Sequence, residues 1–387
     1  MRVKTLEAHN FKSLVDFQLN LAKFSCLVGL NGAGKSTVLQ FIDFLAQQAR
    51  GEIDQWLTER SWKRRDLLFQ MGTSKTVTFN VTVTDSDDRD VTWSGTFNPY
   101  RLQCTAEKLT AHDAWLIVEG GSYTLAEGMD SNGVRREIAP QAIQFTYQGS
   151  ILSQLRDEAL PESLLAFKKF LLQTESLDML TPERLRQRTR DAGGSLGHGG
   201  RHLSAFVYEL GLPGRKALAA KLKEAYPRLN QVSAKPLRAG WKQLQVSETF
   251  GKEKLVSDAQ HVNDGLLRLA AIFSELASEH AFLLFDEIEN GINPELVEFV
   301  TDALVKATQQ VLVTTHSPMI LNYLDDETAR QGVIYLYKTR RGHTKAIPFF
   351  SIPSLAEKLK FMGPGEAFVD TKLVELSDEI TQLAQGT

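Results

Sequence analysis

The sequence predicts an α/β protein in which a mostly parallel sheet is interrupted by an antiparallel β-lobe and then by a helical lobe. Three observations predict it. A glycine-rich loop within "LVGLNGAGKSTV" (27–38) joins an apolar run to a helically spaced stretch. Residues 75–147 change to period-two alternation, with Val77, Phe79, Val81 and Val83 on one side of "KTVTFNVTVTD". After Leu255 two short strands return, "AFLLFDE" and "QVLVTTH", apolar throughout as strands covered on both faces should be.

The elements follow in chain order. "RVKTLEAHNF" alternates as a strand, and "FQLNLAKFSCLVGL" leads into the glycine loop. A helix is expected from Ser36 to Ala49, with Val38, Leu39, Phe41, Ile42 and Leu45 on one side. The charged connector "WKRRD" (62–66) precedes the β-lobe, whose turns come from "DSDD" and "SNG". Residues 150–245 read mostly helical, broken by "AGGSLGHGG" at 192–200. Then come the helix "LLRLAAIFSELASE", the strand "AFLLFDE", the helix "PELVEFVTDALVKA" and the strand "QVLVTTH". Two further strands, "VIYLYKT" and "TKAIPFF", flank an "RRG" turn ahead of a last helix. The expected domains are an α/β core over 1–70 and 255–350, a β-lobe over 71–147, a helical lobe over 148–254 and a tail over 351–387.

Composition narrows the class. The 387 residues are 42% hydrophobic and 24% charged with a formal net charge of −3, an ordinary globular profile that neither requires nor excludes nucleic acid. Cys26 and Cys104 offer no metal spacing and no disulfide framework, which suits a reducing cytosol. Neither a membrane span nor an export signal is expected.

"GLNGAGKS" (29–36) fits G-x-x-x-x-G-K-[ST] in its required strand–loop–helix setting. Its glycines let the backbone N–H groups of Asn31, Gly32, Ala33, Gly34, Lys35 and Ser36 curl around a β-phosphate, beside the positive end of the helix. Lys35 supplies a point charge to the β/γ oxygens, and Ser36 a hydroxyl to Mg²⁺. "FLLFDEIENG" (282–291) places two acids at the carboxyl end of a buried strand, Asp286 for the Mg²⁺ shell and Glu287 to polarise the attacking water. His316 closes the next strand, within reach of a γ-phosphate. Each has a plainer structural reading: a tight turn, a helix cap, a hydrogen-bonded histidine. Their joint presence favours nucleotide chemistry.

The order of these pieces resembles the ABC-type ATPases, in the soluble RecF-, OLD- and SMC-like branch. "NFKSL" (10–14) is similar to that branch's opening, and "FTYQGSIL" (145–152) falls where it places its Q-loop. "HVNDGLLRLAAIF" (261–273) resembles an S-D-G-x-x-R signature, and "IENGINP" (288–294) a D-loop. The resemblance implies ATP and Mg²⁺ as cofactors, loop contacts extending to Thr37, and Gln148 on Mg²⁺ or the water. It also implies that Asn263, Asp264 and Gly265 reach a nucleotide held by a second copy, in a homodimer or a higher even-numbered homo-oligomer. Asn263 stands where the family has serine; it can still donate a hydrogen bond and cap the following helix.

The function this implies is hydrolysis of ATP between two protomers, with the cycle regulating a separately encoded effector, a nuclease, in anti-phage defence. The sensed molecule would be nucleic acid, DNA or RNA. No sustained heptads lie between Gln148 and Asn263, so the long coiled coil of SMC and repair relatives is not expected. The residues past 325 are too few for the nuclease domain of OLD proteins, which places any nuclease on another chain. Candidate nucleic-acid contacts are "WKRR" (62–65), the alternating Arg184, Arg186, Arg188 and Arg190, and "GGRH" (199–202); a solvated surface is the plain alternative. Phe361 to Asp370 is the expected effector dock, or else a segment that simply closes the core. A RecF-like DNA-binding repair ATPase without an effector is the alternative function. The expected location is cytoplasmic, with no membrane partner.

Overall fold

A computed structural model describes residues 1–129, 135–137, 139–177, 180–373, 376 and 380, and the chain falls into two compact units. The first comprises 1–174, 330–353 and 372–387. Its antiparallel sheet runs in the order Gln141–Ala142, Ser122–Met129, Ala114–Glu119, Gln103–Thr110, Asp90–Asn98, Val77–Thr84, Arg2–His9 and Phe17–Asn20, with Arg135–Glu137 beside Ser122–Met129. The β-lobe thus continues into the first strands of the chain: Arg2–His9 pairs with Val77–Thr84, with Leu6 opposite Val81. Alternation holds in Val77–Thr84, where Val77, Phe79, Val81 and Val83 are all buried.

The helix Lys35–Arg50 packs its apolar side into an aromatic cluster. Phe44 lies 5.3 Å from Phe11 and edge-on to Phe97 at 4.9 Å, while Phe41 lies 5.0 Å from Phe11. The three-residue step from Phe41 to Phe44 keeps both rings on one helix face. Phe24–Val28, buried at all five positions, runs parallel to Val333–Lys338, which turns back as Thr344–Pro348.

The second unit comprises 175–329 and 354–371. Phe282–Phe285 and Gln310–Thr314 form a parallel pair in which every residue is buried, so neither strand has a polar side. The helix Asp264–Leu276 precedes them and Val297–Val305 connects them. A three-stranded antiparallel sheet, Leu229–Pro236, Lys242–Phe250 and Glu253–Asp258, occupies part of the segment that reads as helical. Val232, Ala234, Leu244 and Val246 make its buried face, covered by the helices Leu203–Glu209 and Gly211–Ala225. Gln243 and Ser247 are buried on the opposite side, which blurs the polar half of the alternation. No helix among the described residues is long and apolar enough to cross a membrane.

Candidate nucleotide site

The first unit carries the phosphate loop. Residues 29–34 turn between Phe24–Val28 and the helix Lys35–Arg50, whose first turn contains no acid to offset its positive end. Gly34 has φ 110°, and a Cβ there would come 2.4 Å from Thr344 Oγ1. No other residue fits. The Thr344 hydroxyl donates to the Ala33 carbonyl at 2.9 Å, so the Ser13 hydroxyl, 2.8 Å away, must donate to Thr344. Thr344 N–H in turn donates to Ser13 O at 2.8 Å. The "NFKSL" opening therefore braces the loop from beneath. Lys35 is buried and donates to the carbonyls of Gly29 at 2.9 Å and Leu30 at 3.3 Å. Ser36 and Thr37 are half-buried, and Asn31 and Gly32 exposed.

Gln148 does not join this group. Its Oε1 accepts from Asp54 N–H at 2.9 Å, and its carbonyl lies beside Gly51, which ends the phosphate-loop helix. About 22 Å of helix separates that end from Ser36 at 1.5 Å per residue, far beyond the span of one coordination shell. The metal-ligand expectation for Gln148 is corrected accordingly. Its neighbours instead form a buried knot. Glu107 accepts from Ser150 Oγ at 2.5 Å, Ile151 N at 2.9 Å and Trp93 Nε1 at 3.3 Å, and burial drives its carboxyl up to about 7 against those donors. Cys104 donates its thiol to Gln48 Oε1 at 2.8 Å, and burial raises it well above the usual thiol range.

The second unit carries the two acids. Thr314, fully buried, donates to Asp286 Oδ1 at 2.6 Å and accepts from Glu287 N–H at 2.8 Å. One hydroxyl thus orders both acids. Glu287 sits in left-handed backbone, φ 48°, a region non-glycine residues seldom adopt. That carboxyl is 49% exposed, with His316 Nε2 at 3.8 Å from Oε1 and Asn290 Nδ2 donating to Oε2 at 3.2 Å. The backbone N–H groups of His316 and Ser317 both donate to Glu289 Oε1, at 2.8 and 3.1 Å. Asp286, Glu287 and His316 therefore stand together.

Asn263 caps the helix Asp264–Leu276, accepting from Leu266 N–H at 2.8 Å. Arg186 donates to the Val262 carbonyl at 2.9 Å and pairs with Asp264, which ties the entry of that helix to the 180s segment. Arg268 lies under Gly291 of the D-loop, where a Cβ would come 2.8 Å from its Nε. Burial lowers the Arg268 guanidinium, against the charges of Asp264, Glu287 and Glu183. The signature, the D-loop and the strand-end acid Glu287 of one chain thus meet around one cation. Thr314, Glu289, Arg268, Ser13 and Thr344 were not assigned roles from sequence; Glu289, Arg268 and Ser13 lay inside recognised motifs, Thr314 and Thr344 only within expected strands.

The alternating arginines divide. Arg184 donates to the His198 carbonyl at 3.0 Å and Arg186 is held as above, because Pro182–Leu185 forms a helical turn instead of an extended run. Arg188 and Arg190 face solvent on either side of Thr189, which bridges to Lys242.

Two family models match the chain: "AAA ATPase domain" over residues 1–121 and "AAA domain, putative AbiEii toxin, Type IV TA system" over residues 141–322. An OLD nuclease of Thermus scotoductus is 28% identical over 203 residues, 48% of this chain and 36% of that protein. The DNA repair protein RecN of a Synechocystis species is 39% identical over 62 residues, 16% of this chain and 11% of that one. The chain thus spans about a third of one curated relative and a tenth of the other. Among solved structures, an SMC head bound to the C-terminal winged-helix domain of ScpA aligns with a TM-score of 0.54 at 16% identity, covering 90% of this chain and 98% of that one. That likeness shows the fold. Together the two family models, the OLD nuclease and RecN matches and the SMC-head fold support an ABC-type ATPase of the RecF/OLD/SMC-like branch.

Proposed function

We propose that the chain binds Mg·ATP on Asn31–Thr37 and hydrolyses it between two copies of itself, with Glu287 taking a proton from the attacking water. The observation that carries this reading is Glu287 itself: a half-exposed carboxylate, pinned at its backbone by Thr314 and flanked by His316. Lys35 would leave the carbonyls of Gly29 and Leu30 for the β/γ-phosphate oxygens. Ser36 and Asp286 are the hard oxygen donors that would hold Mg²⁺; Thr314 occupies only one carboxylate oxygen of Asp286, which suits that task. When bound, Mg²⁺ supplies charge to offset the phosphates. Asn263 spends its Oδ1 on the helix cap, so its amide N–H₂ is the group left to meet a phosphate of the second copy. Glu287→Gln is expected to trap an ATP-bound dimer, and Lys35→Ala to abolish binding and dimerisation together, both read by light scattering. Wild-type hydrolysis by Glu287→Gln would overturn the assignment.

The cycle would regulate a separately encoded effector in anti-phage defence, with nucleic acid as the trigger and a nuclease as the effector. Support comes from the toxin–antitoxin description of one family model and the nuclease name of one relative. Phe361 and Val369, 87% and 68% exposed beside the buried Pro364, Gly365 and Ala367, suit an effector dock. Co-purification with the product of the adjacent gene, compared with Phe361→Ala/Val369→Ala, tests it. The RecN match favours the alternative, a repair ATPase without an effector. That reading predicts ATP-dependent DNA binding by the isolated chain and no co-purifying protein.

A further inference from the structure

We infer that the second unit presents a platform for single-stranded nucleic acid, built on the rings of Trp241 and Tyr208 and flanked by Arg188, Arg190, Arg215 and Lys242. The inference deepens the nucleic-acid part of the reading above and is independent of hydrolysis. Charge points to the partner first. Residues 184–258 hold fifteen Lys and Arg against six Asp and Glu, a net of +9 in a chain whose total is −3. That is the footprint of a polyanion site.

The rings then choose among polyanions. Trp241 and Tyr208 are 39% and 40% exposed, and neither is needed to fill the core. Each carries a cation: the Arg190 guanidinium lies 5.0 Å from the Trp241 ring, Lys242 Nζ 5.2 Å and the Arg215 guanidinium 5.6 Å from the Tyr208 ring. The pieces are joined. Thr189 and Lys242 exchange backbone hydrogen bonds at 3.2 and 2.8 Å, and Lys242 Nζ donates to the Arg190 carbonyl. Arg188, Arg190, Trp241, Lys242, Tyr208 and Arg215 therefore form one continuous strip. The acids within it are turned to local backbone: Asp191 accepts from Gly193 N–H at 3.0 Å and Glu209 from Ala192 N–H at 3.0 Å. Exposed rings next to cations bind unpaired bases by stacking while the cations take the phosphates. A duplex hides its base faces, and an acidic protein offers none. Single strands fit best.

The test is fluorescence anisotropy of oligo-dT and oligo-U with the full chain, wild type and Lys35→Ala, competed by a blunt duplex and by poly-glutamate. Lys35→Ala is expected to bind as wild type does, so failure of the ATPase reading leaves this result standing. Trp241→Ala/Tyr208→Ala should weaken binding at least about tenfold, the size of a lost stack, with an unchanged melting temperature. Arg190→Ala should reduce the salt slope by about one. The two oligonucleotides distinguish DNA from RNA. Equal competition by duplex or poly-glutamate, or an unchanged affinity in the ring variant, overturns the inference.

Discussion

Thr314→Val isolates the hydroxyl that organises the two acids. Valine keeps the buried shape but removes the donor to Asp286 and the acceptor for Glu287 N–H, bonds of 2.6 and 2.8 Å. A hydrogen bond to a charged group contributes about 1.5–3 kcal/mol and a neutral one about 1 kcal/mol. Holding Glu287 in left-handed backbone costs about 1–2 kcal/mol, which those bonds now offset. Without them the turn is expected to relax and the Glu287 carboxyl to lose its aim. A loss of about 3 kcal/mol of positioning corresponds to roughly a hundredfold fall in kcat. The phosphate loop keeps its own Ser13–Thr344–Ala33 brace, so nucleotide affinity should change little. Single-turnover hydrolysis and equilibrium binding of a fluorescent ATP analogue separate the two quantities. Thr314→Ser restores the hydroxyl and should recover most of the rate. A kcat in Thr314→Val within twofold of wild type, or an equal loss in Thr314→Ser, would refute the reasoning.

Gly34→Ala drives a Cβ to within 2.4 Å of the Thr344 hydroxyl at a φ alanine rarely adopts, so ATP binding should fall more than about a hundredfold; calorimetric titration checks it. The Glu107 carboxyl is held above its ordinary 4.5, at about 7. An acid raised in this way contributes its stability in full below its ordinary value and loses it as pH rises through the folded one. The melting temperature of wild type should therefore fall relative to Glu107→Gln between about pH 5 and about pH 8, and parallel curves would contradict this. Arg186→Ala should slow hydrolysis by loosening the signature helix yet leave oligonucleotide affinity unchanged, the reverse of Arg190→Ala. Equal effects of both on anisotropy would erase that distinction.

The phosphate loop and the strand Phe282–Phe285 with its acid pair were legible because their signals are local. Each is one short run: an apolar strand and a fixed glycine spacing within 27–38, and an apolar strand with its acid pair within 282–291. The brace on the loop was not: Thr344 meets Ala33 across 311 residues, and Asp264 meets Arg186 across 78. No periodicity reports such pairings. Glu107 shows a different failure. Cys104 and Glu107, three apart, should face opposite ways on a regular strand, but the register of Gln103–Thr110 shifts against Phe97 and turns both inward. A charged residue in "CTAEKLT" reads as solvent-facing unless that extra residue is known. Residues 229–245 were read as helix for a related reason: the alternation there is short, and Gln243 and Ser247, on the polar side of Leu244 and Val246, are buried as well. Gln148 was placed by resemblance, from its order after the β-lobe and before the helical lobe, and chain order does not fix which end of a helix a loop touches.

The pairing of Arg2–His9 with Val77–Thr84 bears on how this lobe could be removed or exchanged. Excising 71–147 as a cassette would strip a hydrogen-bonding partner from the first strand and leave a raw edge with Leu6 and Ala8 beside it. Such a truncation should precipitate. Grafts between relatives would have to carry the amino terminus along with the insert, so the two segments are bound to vary as one piece of inheritance.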